Sequence, residues 1–251
     1  MFDFFHFVNF IHPREKSKMN TDNTDVNSLW IGKRLSELEL LTINSFLHHG
    51  HAFVLWTYGA IDNVPSSVQI NDANEIIDEA NVFKYPDDSK LKWGKGSYAG
   101  FSDIFRYKLL YEKGGWWVDM DLTCLKPFDF EEDYFFRSHW KYKVVGNVMK
   151  CPKGSKLMLD CYNLARLEVK ADNLNWHKPI EILNQHIVKL DLLKYRHRGL
   201  FNNDHAFLLK IYLQWNAAIP KSWYGIHWCN SSGKINYTDK SSLKKLMSIY
   251  N

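Results

Sequence analysis

The sequence predicts an α/β domain with a mostly parallel central sheet flanked by helices. Strand-like and helix-like segments alternate along the first half of the chain, as in sheets whose parallel strands are joined by helices. The 251 residues are 45% hydrophobic and 16% aromatic, which is ample for one sizeable core. A pair of carboxylates follows an aromatic strand, at the edge of the sheet where such folds bind ligands.

The individual elements are predicted from these patterns in chain order. For the first half we predict strands at 28–31, 52–57 and 116–122, and helices at 36–48, at 73–79 and from Ser102. For the second half we predict strands at 134–138 and 142–149, and helices at 156–170, 179–191 and 203–214. One domain is expected over residues 28–251, preceded by an N-terminal extension or linker at residues 1–27.

The helix before the aromatic strand has well-marked ends. Ser102 is a residue type that caps helices, Asp103 adds negative charge to the first turn, and Gly114 follows Lys113 at the expected end. Asp103 and Arg106 are three residues apart and therefore share a helix face. They form either an intrahelical ion pair or, if the helix start lies beside the next strand, a donor-and-acceptor fork suited to sugar hydroxyls.

Asp119 and Asp121 are the strongest chemical signal in the chain. In a strand with a side-chain period of two, both carboxylates point to the same face as Trp117. Two such carboxylates repel each other and are costly to desolvate unless a cation or hydrogen-bond donors compensate them. A divalent cation with oxygen ligands is the simplest compensation, and a carboxylate pair that caps the strand end or binds backbone amides is the alternative.

The chain resembles the DXD-containing glycosyltransferases over residues 102–128, which read SDIFRYKLLYEKGGWWVDMDLTCLKPF. The most similar group is the one around family 32, with yeast mannosyltransferases, α-1,4-galactosyltransferases and the glucosylating clostridial toxins. A looser resemblance extends over about residues 28 to 232. It implies a GT-A-like nucleotide-diphospho-sugar transferase fold and a glycosyltransferase activity.

The resemblance also implies how a sugar donor is held. Trp30 is expected to stack on the nucleotide base, while Asp103 and Arg106 hold the donor sugar. Asp121 is expected to bind Mn²⁺ or Mg²⁺ directly, with Asp119 reaching the metal, the ribose or the sugar. From its position alone, Trp30 is equally well explained as a core residue of the first strand.

Further candidate residues lie in the second half of the chain. By resemblance, His227 and Trp228 belong to a C-terminal loop that closes over the pyrophosphate, and His227 is a further metal ligand. Asn147 and Asp204 are candidates for contacting the acceptor, although Asn147 also fits a satisfied turn and Asp204 a helix N-cap. His139 is interpreted either as a base or as a structural histidine.

The predicted reaction is transfer of a hexose from a nucleoside-diphosphate sugar, with UDP preferred to GDP, to a glycan or other hydroxyl acceptor. Retention of configuration and a place in polysaccharide biosynthesis follow from the resemblance. Departure of the diphosphate builds negative charge, which a divalent cation stabilises. The alternatives are a catalytically inactive sugar-binding or nucleotide-binding protein and a haloacid-dehalogenase-type phosphatase with Asp119 as nucleophile. The phosphatase is disfavoured because no paired acidic motif follows.

Charge and cysteine content limit the expected partners and location. The net charge of +4 comes without a dense basic stripe, so no nucleic-acid partner is expected. Four cysteines without a Cys-X-X-Cys spacing favour a reduced, cytoplasmic setting. The apolar residues 1–11 are too few to span a bilayer and lack the features of a signal peptide. We therefore expect no transmembrane segment, with peripheral membrane contact as an alternative to packing on the domain.

Overall fold

A computed structural model describes residues 25–91, 93–230 and 235–250. Residues 1–24 of the expected N-terminal extension lie outside this part of the chain, and the domain boundaries stay a prediction. The strands are β1 (Val26–Trp30), β2 (Phe53–Thr57), β3 (Gln69–Asp72), β4 (Gly115–Val118), β5 (Leu122–Cys124), β6 (Phe135–Ser138), β7 (Val144–Cys151), β8 (Arg196–His197) and β9 (Gly225–His227). The helices are α1 (Glu37–His48), α2 (Ala99–Glu112), α3 (Lys156–Glu168), α4 (Lys178–Lys189), α5 (Ala206–Gln214) and α6 (Ser242–Tyr250).

Seven strands form a central sheet in the order β3-β2-β1-β4-β7-β6-β8. The first four strands in this order are parallel, as are β6 and β8, whereas β7 is antiparallel to both of its neighbours. The predicted mostly parallel sheet is thus confirmed. Strands β5 and β9 form a separate antiparallel pair. The carboxyl ends of β1, β2 and β4 therefore meet at one edge of the sheet.

Hydrophobic side chains cover both faces of the central sheet. On one face, Trp117 packs in a cluster with Phe105 of α2 and Met158 of α3, and Trp116 on the other face packs in a cluster with Phe46 of α1. A third cluster joins α1 and α6 to the β5–β9 pair. Burial on two faces explains why β4 reads as a continuous aromatic run, and it confirms a sheet flanked by helices. Within the described ranges, no helix is both long and apolar enough to cross a bilayer.

The ends of two elements next to the site differ from the prediction. Helix α2 begins at Ala99 after Tyr98, and the predicted start at Ser102 is wrong, because the Ser102 amide already donates to the Tyr98 carbonyl at 2.8 Å. Gly114, with φ of 73°, ends the helix as expected. The predicted strand 116–122 is also wrong in extent. It ends at Val118, and a turn closed by the Leu122 amide on the Asp119 carbonyl at 3.2 Å leads into β5.

The helix predicted at 73–79 is replaced by two short 3₁₀ turns, Ala73–Glu75 and Glu79–Asn81. Asp72 and Asp78 cap these turns, and the Asn74 side chain accepts a hydrogen bond from the Glu79 amide at 2.9 Å. Short polar side chains that bond to nearby backbone amides compete with a continuous helix. The helix predicted at 203–214 is present but begins only at Ala206.

Candidate active site

The DXD residues lie in the turn between β4 and β5, at the carboxyl edge of the parallel strands. Because β5 pairs with β9, Leu122 is opposite His227, and this register brings Asp121 to the C-terminal segment. The Asp121 carbonyl accepts from the Trp228 amide at 2.9 Å, and its Oδ2 accepts from the Asn230 amide at 2.7 Å. Asp121 Oδ1 is 3.2 Å from His227 Nε2. Two segments more than 100 residues apart are thereby held together.

Arg106 connects the start of α2 to the first DXD carboxylate. Its Nη2 is 3.2 Å from Asp103 Oδ1 and 3.0 Å from Asp119 Oδ1. The Trp117 indole also donates to Asp119 Oδ1 at 2.8 Å, and the guanidinium lies 5.0 Å from the centre of the Trp117 ring system. This part of α2 therefore lies beside the end of β4, as the donor-and-acceptor fork requires. The intrahelical ion pair between Asp103 and Arg106 is present as well.

The Asp103 carboxyl has a pKa that differs from that of an ordinary aspartate. Burial raises the pKa of Asp103 to about 6, with Arg106 acting to lower it and Asp119 to raise it. Arg106 itself is only 5% exposed, and despite its burial the two carboxylates raise the pKa of its guanidinium. The guanidinium therefore stays charged, and the Asp103 carboxyl changes its charge near pH 6.

Three potential metal ligands converge at the turn. One ligand atom each from Asp119, Asp121 and His227 lies within 4.8 Å of the others. Two carboxylate oxygens and an imidazole nitrogen suit a divalent cation such as Mn²⁺. Burial opposes charge on His227, but Asp121 and Asp204 raise its pKa well above the ordinary value, and His227 lowers that of Asp121 in turn despite burial. Carboxylates that favour a proton on His227 in this way would also favour a bound cation.

The predicted acceptor residues join a buried network centred on Arg137, which no sequence pattern singled out. Arg137, from β6, is 1% exposed and donates to both Asp204 oxygens at 2.6 and 2.7 Å. It also donates to Asn147 Oδ1 at 3.1 Å. Asp204 Oδ1 in turn lies 3.0 Å from His227 Nδ1. The available signal was an arginine directly after two phenylalanines in a predicted strand, since buried arginines are almost always paired.

His139 has the contacts of a structural residue. Its Nδ1 accepts hydrogen bonds from the backbone amides of Lys141 and Tyr142 at 3.1 and 3.2 Å, and Nε2 is 3.8 Å from Asp204 Oδ2. Burial lowers its pKa to about 4, although Asp204 acts to raise it. The ring is therefore neutral at pH 7 and anchors the turn before β7.

The two candidate tryptophans have different surroundings. Trp30 is half-buried at the end of β1, and within the described residues its buried indole N–H has no hydrogen-bond partner. Trp228 is 1% exposed, and its indole donates to Thr123 Oγ1 at 2.8 Å. The structure thus places the Trp228 ring in the core, whereas its backbone amide is the part that contacts Asp121. Trp30 lies instead at the strand edge that carries the DXD turn.

Comparison with known proteins was consistent with this geometry. Residues 43–140 match a family described as a glycosyltransferase sugar-binding region containing a DXD motif. Among solved structures, the chain is similar to "PaToxG Glycosyltransferase", with 16% identity, a TM-score of 0.51 and coverage of 76% of this chain and 75% of that chain. It also matches a transferase variant with two cysteine-to-serine substitutions, at 12% identity, a TM-score of 0.45 and coverage of 73% of this chain and 89% of that chain. No curated protein matches significantly in sequence.

The family match includes α2, β4 and the turn with Asp119 and Asp121. The similarity to PaToxG concerns the fold alone, and it confirms the expected GT-A-like architecture. The sequence match covers Asp103, Arg106, Asp119 and Asp121, whereas Asp204 and His227 lie outside it. Residues 43–140 are thus similar to the sugar-binding region of the DXD-containing glycosyltransferases, and the predicted resemblance and the prediction of a glycosyltransferase are confirmed.

Proposed function

We propose that this glycosyltransferase moves a hexose from a nucleoside-diphosphate sugar to a glycan or other hydroxyl acceptor, with a divalent metal bound at the DXD turn. The observation that carries the proposal is the double engagement of Asp119. Its carboxylate contacts Arg106 and also lies within 4.8 Å of ligand atoms of Asp121 and His227. A sugar diphosphate needs both neighbours, because it joins hydroxyl groups to a charged pyrophosphate.

In this proposal Asp121, Asp119 and His227 hold Mn²⁺ or Mg²⁺. When bound, such a cation neutralises the negative charge that develops on the departing diphosphate. Arg106 and Asp103 then act on the sugar, because a guanidinium only donates hydrogen bonds whereas a carboxylate accepts them. The close Arg106–Asp119 contact fixes the sugar-binding group relative to the metal ligands. Such pre-organisation lowers the entropic part of the reaction barrier.

Trp30 is proposed to hold the nucleotide base, with UDP preferred to GDP. Its position at the carboxyl end of β1 places it on the same sheet edge as the DXD turn. An aromatic ring that stacks on a base contributes about 1 to 3 kcal/mol in single-stranded nucleic-acid sites. The unpartnered indole N–H supports the same role, because a bound nucleotide offers acceptors that would satisfy it.

Transfer with retention by front-face departure of the diphosphate is the mechanism that we propose. A double displacement needs a carboxylate that is free to attack the sugar. The four carboxylates at this site are already engaged: Asp103 and Asp119 pair with Arg106, Asp204 pairs with Arg137, and Asp121 lies beside His227, where the metal would bind. These pairs favour a role in binding and charge compensation over a role as nucleophile.

The test is binding of UDP and GDP with and without Mn²⁺, measured by calorimetry and thermal shift. We expect UDP to stabilise the wild-type chain only with Mn²⁺, and Asp121→Asn to weaken this binding at least about 10-fold. Asp160→Asn is the matched control, because Asp160 pairs with Lys156 at 2.9 Å on α3 and does not belong to the proposed set. Nucleotide binding that ignores both Mn²⁺ and the Asp121→Asn change would contradict the proposal, as would phosphatase activity that depends on Asp119.

A further inference from the structure

His227 lies at the end of a continuous chain of polar contacts that begins in the core. Arg137 Nη2 is 2.6 Å from Asp204 Oδ1, and the same oxygen is 3.0 Å from His227 Nδ1. On the other side of the ring, His227 Nε2 is 3.2 Å from Asp121 Oδ1. The two nitrogens of one imidazole therefore face two different carboxylates, and Nδ1 also lies 3.3 Å from Cys229 Sγ.

The structure assigns Arg137 and Asp204 as positioning residues that prepare His227 to bind the metal. This inference rests on the proposed metal-dependent function. An ionised carboxylate can only accept a hydrogen bond, so Asp204 keeps a proton on Nδ1 of His227. Nε2, on the side of Asp121, would then be the nitrogen that holds a metal, with the Nε2 proton released to solvent. Carboxylates that hold a histidine in this way fix its tautomer and its ring orientation.

Arg137 holds the Asp204 carboxylate in the required plane. The two guanidinium nitrogens contact the two carboxylate oxygens in a fork, and Arg137 Nη2 also donates to the Asn202 carbonyl at 2.7 Å. Asn202 in turn bonds to both the backbone amide and the carbonyl of His227, at 2.8 and 2.9 Å. The arginine therefore fixes the histidine through its side chain and through its backbone. A buried charge with this many partners is compensated.

The same contacts reduce the case for Asp204 as an acceptor-binding residue. Both of its oxygens already receive hydrogen bonds from Arg137, and one of them also faces His227. Its side chain is only 12% exposed. Asn147, the other expected acceptor residue, uses its Oδ1 for Arg137. If Asp204 nevertheless contacted the acceptor, its replacement would raise the acceptor KM and leave Mn²⁺ affinity unchanged.

Asp204→Asn is the sharpest variant because it removes the charge that holds the Nδ1 proton and hardly alters the volume. Arg137 faces both oxygens of Asp204, so the amide nitrogen of the new side chain meets a guanidinium donor in either orientation and the fork is lost. The uncharged side chain also holds a proton on His227 Nδ1 less strongly than a carboxylate does, which increases the share of the tautomer with its proton on Nε2. That proton occupies the lone pair that a metal needs. Arg137→Lys is a milder variant, because it keeps the charge but loses the fork.

The experiment measures the free Mn²⁺ signal by electron paramagnetic resonance during titration of Mn²⁺ into the protein in the presence of UDP, with UDP alone as the reference. We expect Asp204→Asn to weaken Mn²⁺ binding about 10- to 100-fold. Arg137→Lys should weaken it less, and the control Asp160→Asn should not change it. In ¹⁵N spectra recorded at one saturating Mg²⁺ concentration, His227 should carry its proton on Nδ1 in the wild type, and Asp204→Asn should show a population that is protonated on Nε2 instead.

The outcomes separate this inference from the proposed function. Wild-type binding that is lost in Asp121→Asn but unchanged in Asp204→Asn and Arg137→Lys would overturn the positioning role and leave the metal site intact. Failure of the wild type to bind Mn²⁺ with UDP would overturn both. If Asp204→Asn does not fold, the Mn²⁺ affinity of Arg137→Lys decides, and an unchanged value refutes the inference.

Discussion

Asp103 is the residue through which pH should act on the donor end of the site. Burial raises its pKa to about 6, so it gains its negative charge only as the pH increases through that value. The ionised form is the better acceptor for sugar hydroxyls and the better partner for Arg106, 3.2 Å away. The raised pKa also means that this group stabilises the fold at low pH and that the contribution is lost as the pH rises through about 6.

We therefore expect the KM for the sugar donor to fall as the pH increases from about 5 to 7, with an inflection near the Asp103 pKa of about 6. The measurement is the initial rate against donor concentration at each pH. In Asp103→Asn this inflection should disappear, because the amide does not titrate. An inflection that persists unchanged in Asp103→Asn would assign the titration to another group.

At the residue scale, the sequence predicted the groups that depend on local spacing. Asp103 and Arg106 lie three positions apart on a helix, so helical periodicity was enough to pair them. Asp119 and Asp121 were paired by a strand period, but they lie in the turn after β4. Arg137 could not be found in this way. Its partners come from positions 147, 202 and 204, and only the packed sheet brings them together.

At the element scale, the turn from α2 into β4 positions the DXD strand relative to Arg106. Gly114 has φ of 73°, and a Cβ at this position would lie 2.6 Å from the backbone nitrogen of Lys153. Gly154 has a similar φ of 77°, but a Cβ there would meet nothing within 4 Å. Both positions therefore need a positive φ, but only Gly114 lacks room for a Cβ.

We expect Gly154→Ala to lower the free energy of unfolding by about 1 to 2 kcal/mol, the typical cost of the left-handed conformation. Gly114→Ala should cost clearly more, because a backbone neighbour cannot move aside as a flexible side chain can. Urea denaturation of both variants beside the wild type measures the difference. Equal losses in the two variants would show that the close approach of Lys153 has no energetic consequence.

The elements themselves were predicted better than their ends. Hydrophobic patterns located α1, β2, α3 and α4, because the helices bury apolar residues at helical spacing and β2 is a short apolar run that is buried throughout. The start of α2 was misplaced at Ser102, because a residue type that caps helices lies here inside the first turns of the helix. Strand β4 was extended through the DXD turn, because the alternation of apolar and acidic residues continues there although the backbone turns.

At the scale of the whole molecule, the candidate site depends on a contact between distant parts of the chain. The β5–β9 pair joins the segment after the DXD turn to the strand that ends at His227. The sequence contained the His227 signal only through family resemblance, because nothing in local spacing relates it to Asp121. The register of the pair, with Leu122 opposite His227, depends on tertiary packing, because the third cluster packs these strands against α1.

Trp228 secures this pair, and its replacement provides a test of the whole arrangement. The indole is buried and donates to Thr123 Oγ1 at 2.8 Å, across the two strands. Trp228→Phe keeps an aromatic ring but leaves the buried Thr123 hydroxyl without this donor. We expect the free energy of unfolding to fall by about 1 to 3 kcal/mol, the usual cost of an unsatisfied buried polar group.

The matched control is Trp215→Phe, because the Trp215 side chain is 70% exposed. Its effect on stability should stay within about 0.5 kcal/mol, as for most surface substitutions. Because Trp228 also fixes the separation of Asp121 and His227, its loss should further weaken the extra stability that Mn²⁺ with UDP provides. Urea denaturation with and without these ligands separates the two effects. Lower stability with full ligand stabilisation would mean that the register of β5 and β9 is maintained without this indole, and that the metal ligands are held by the polar network alone.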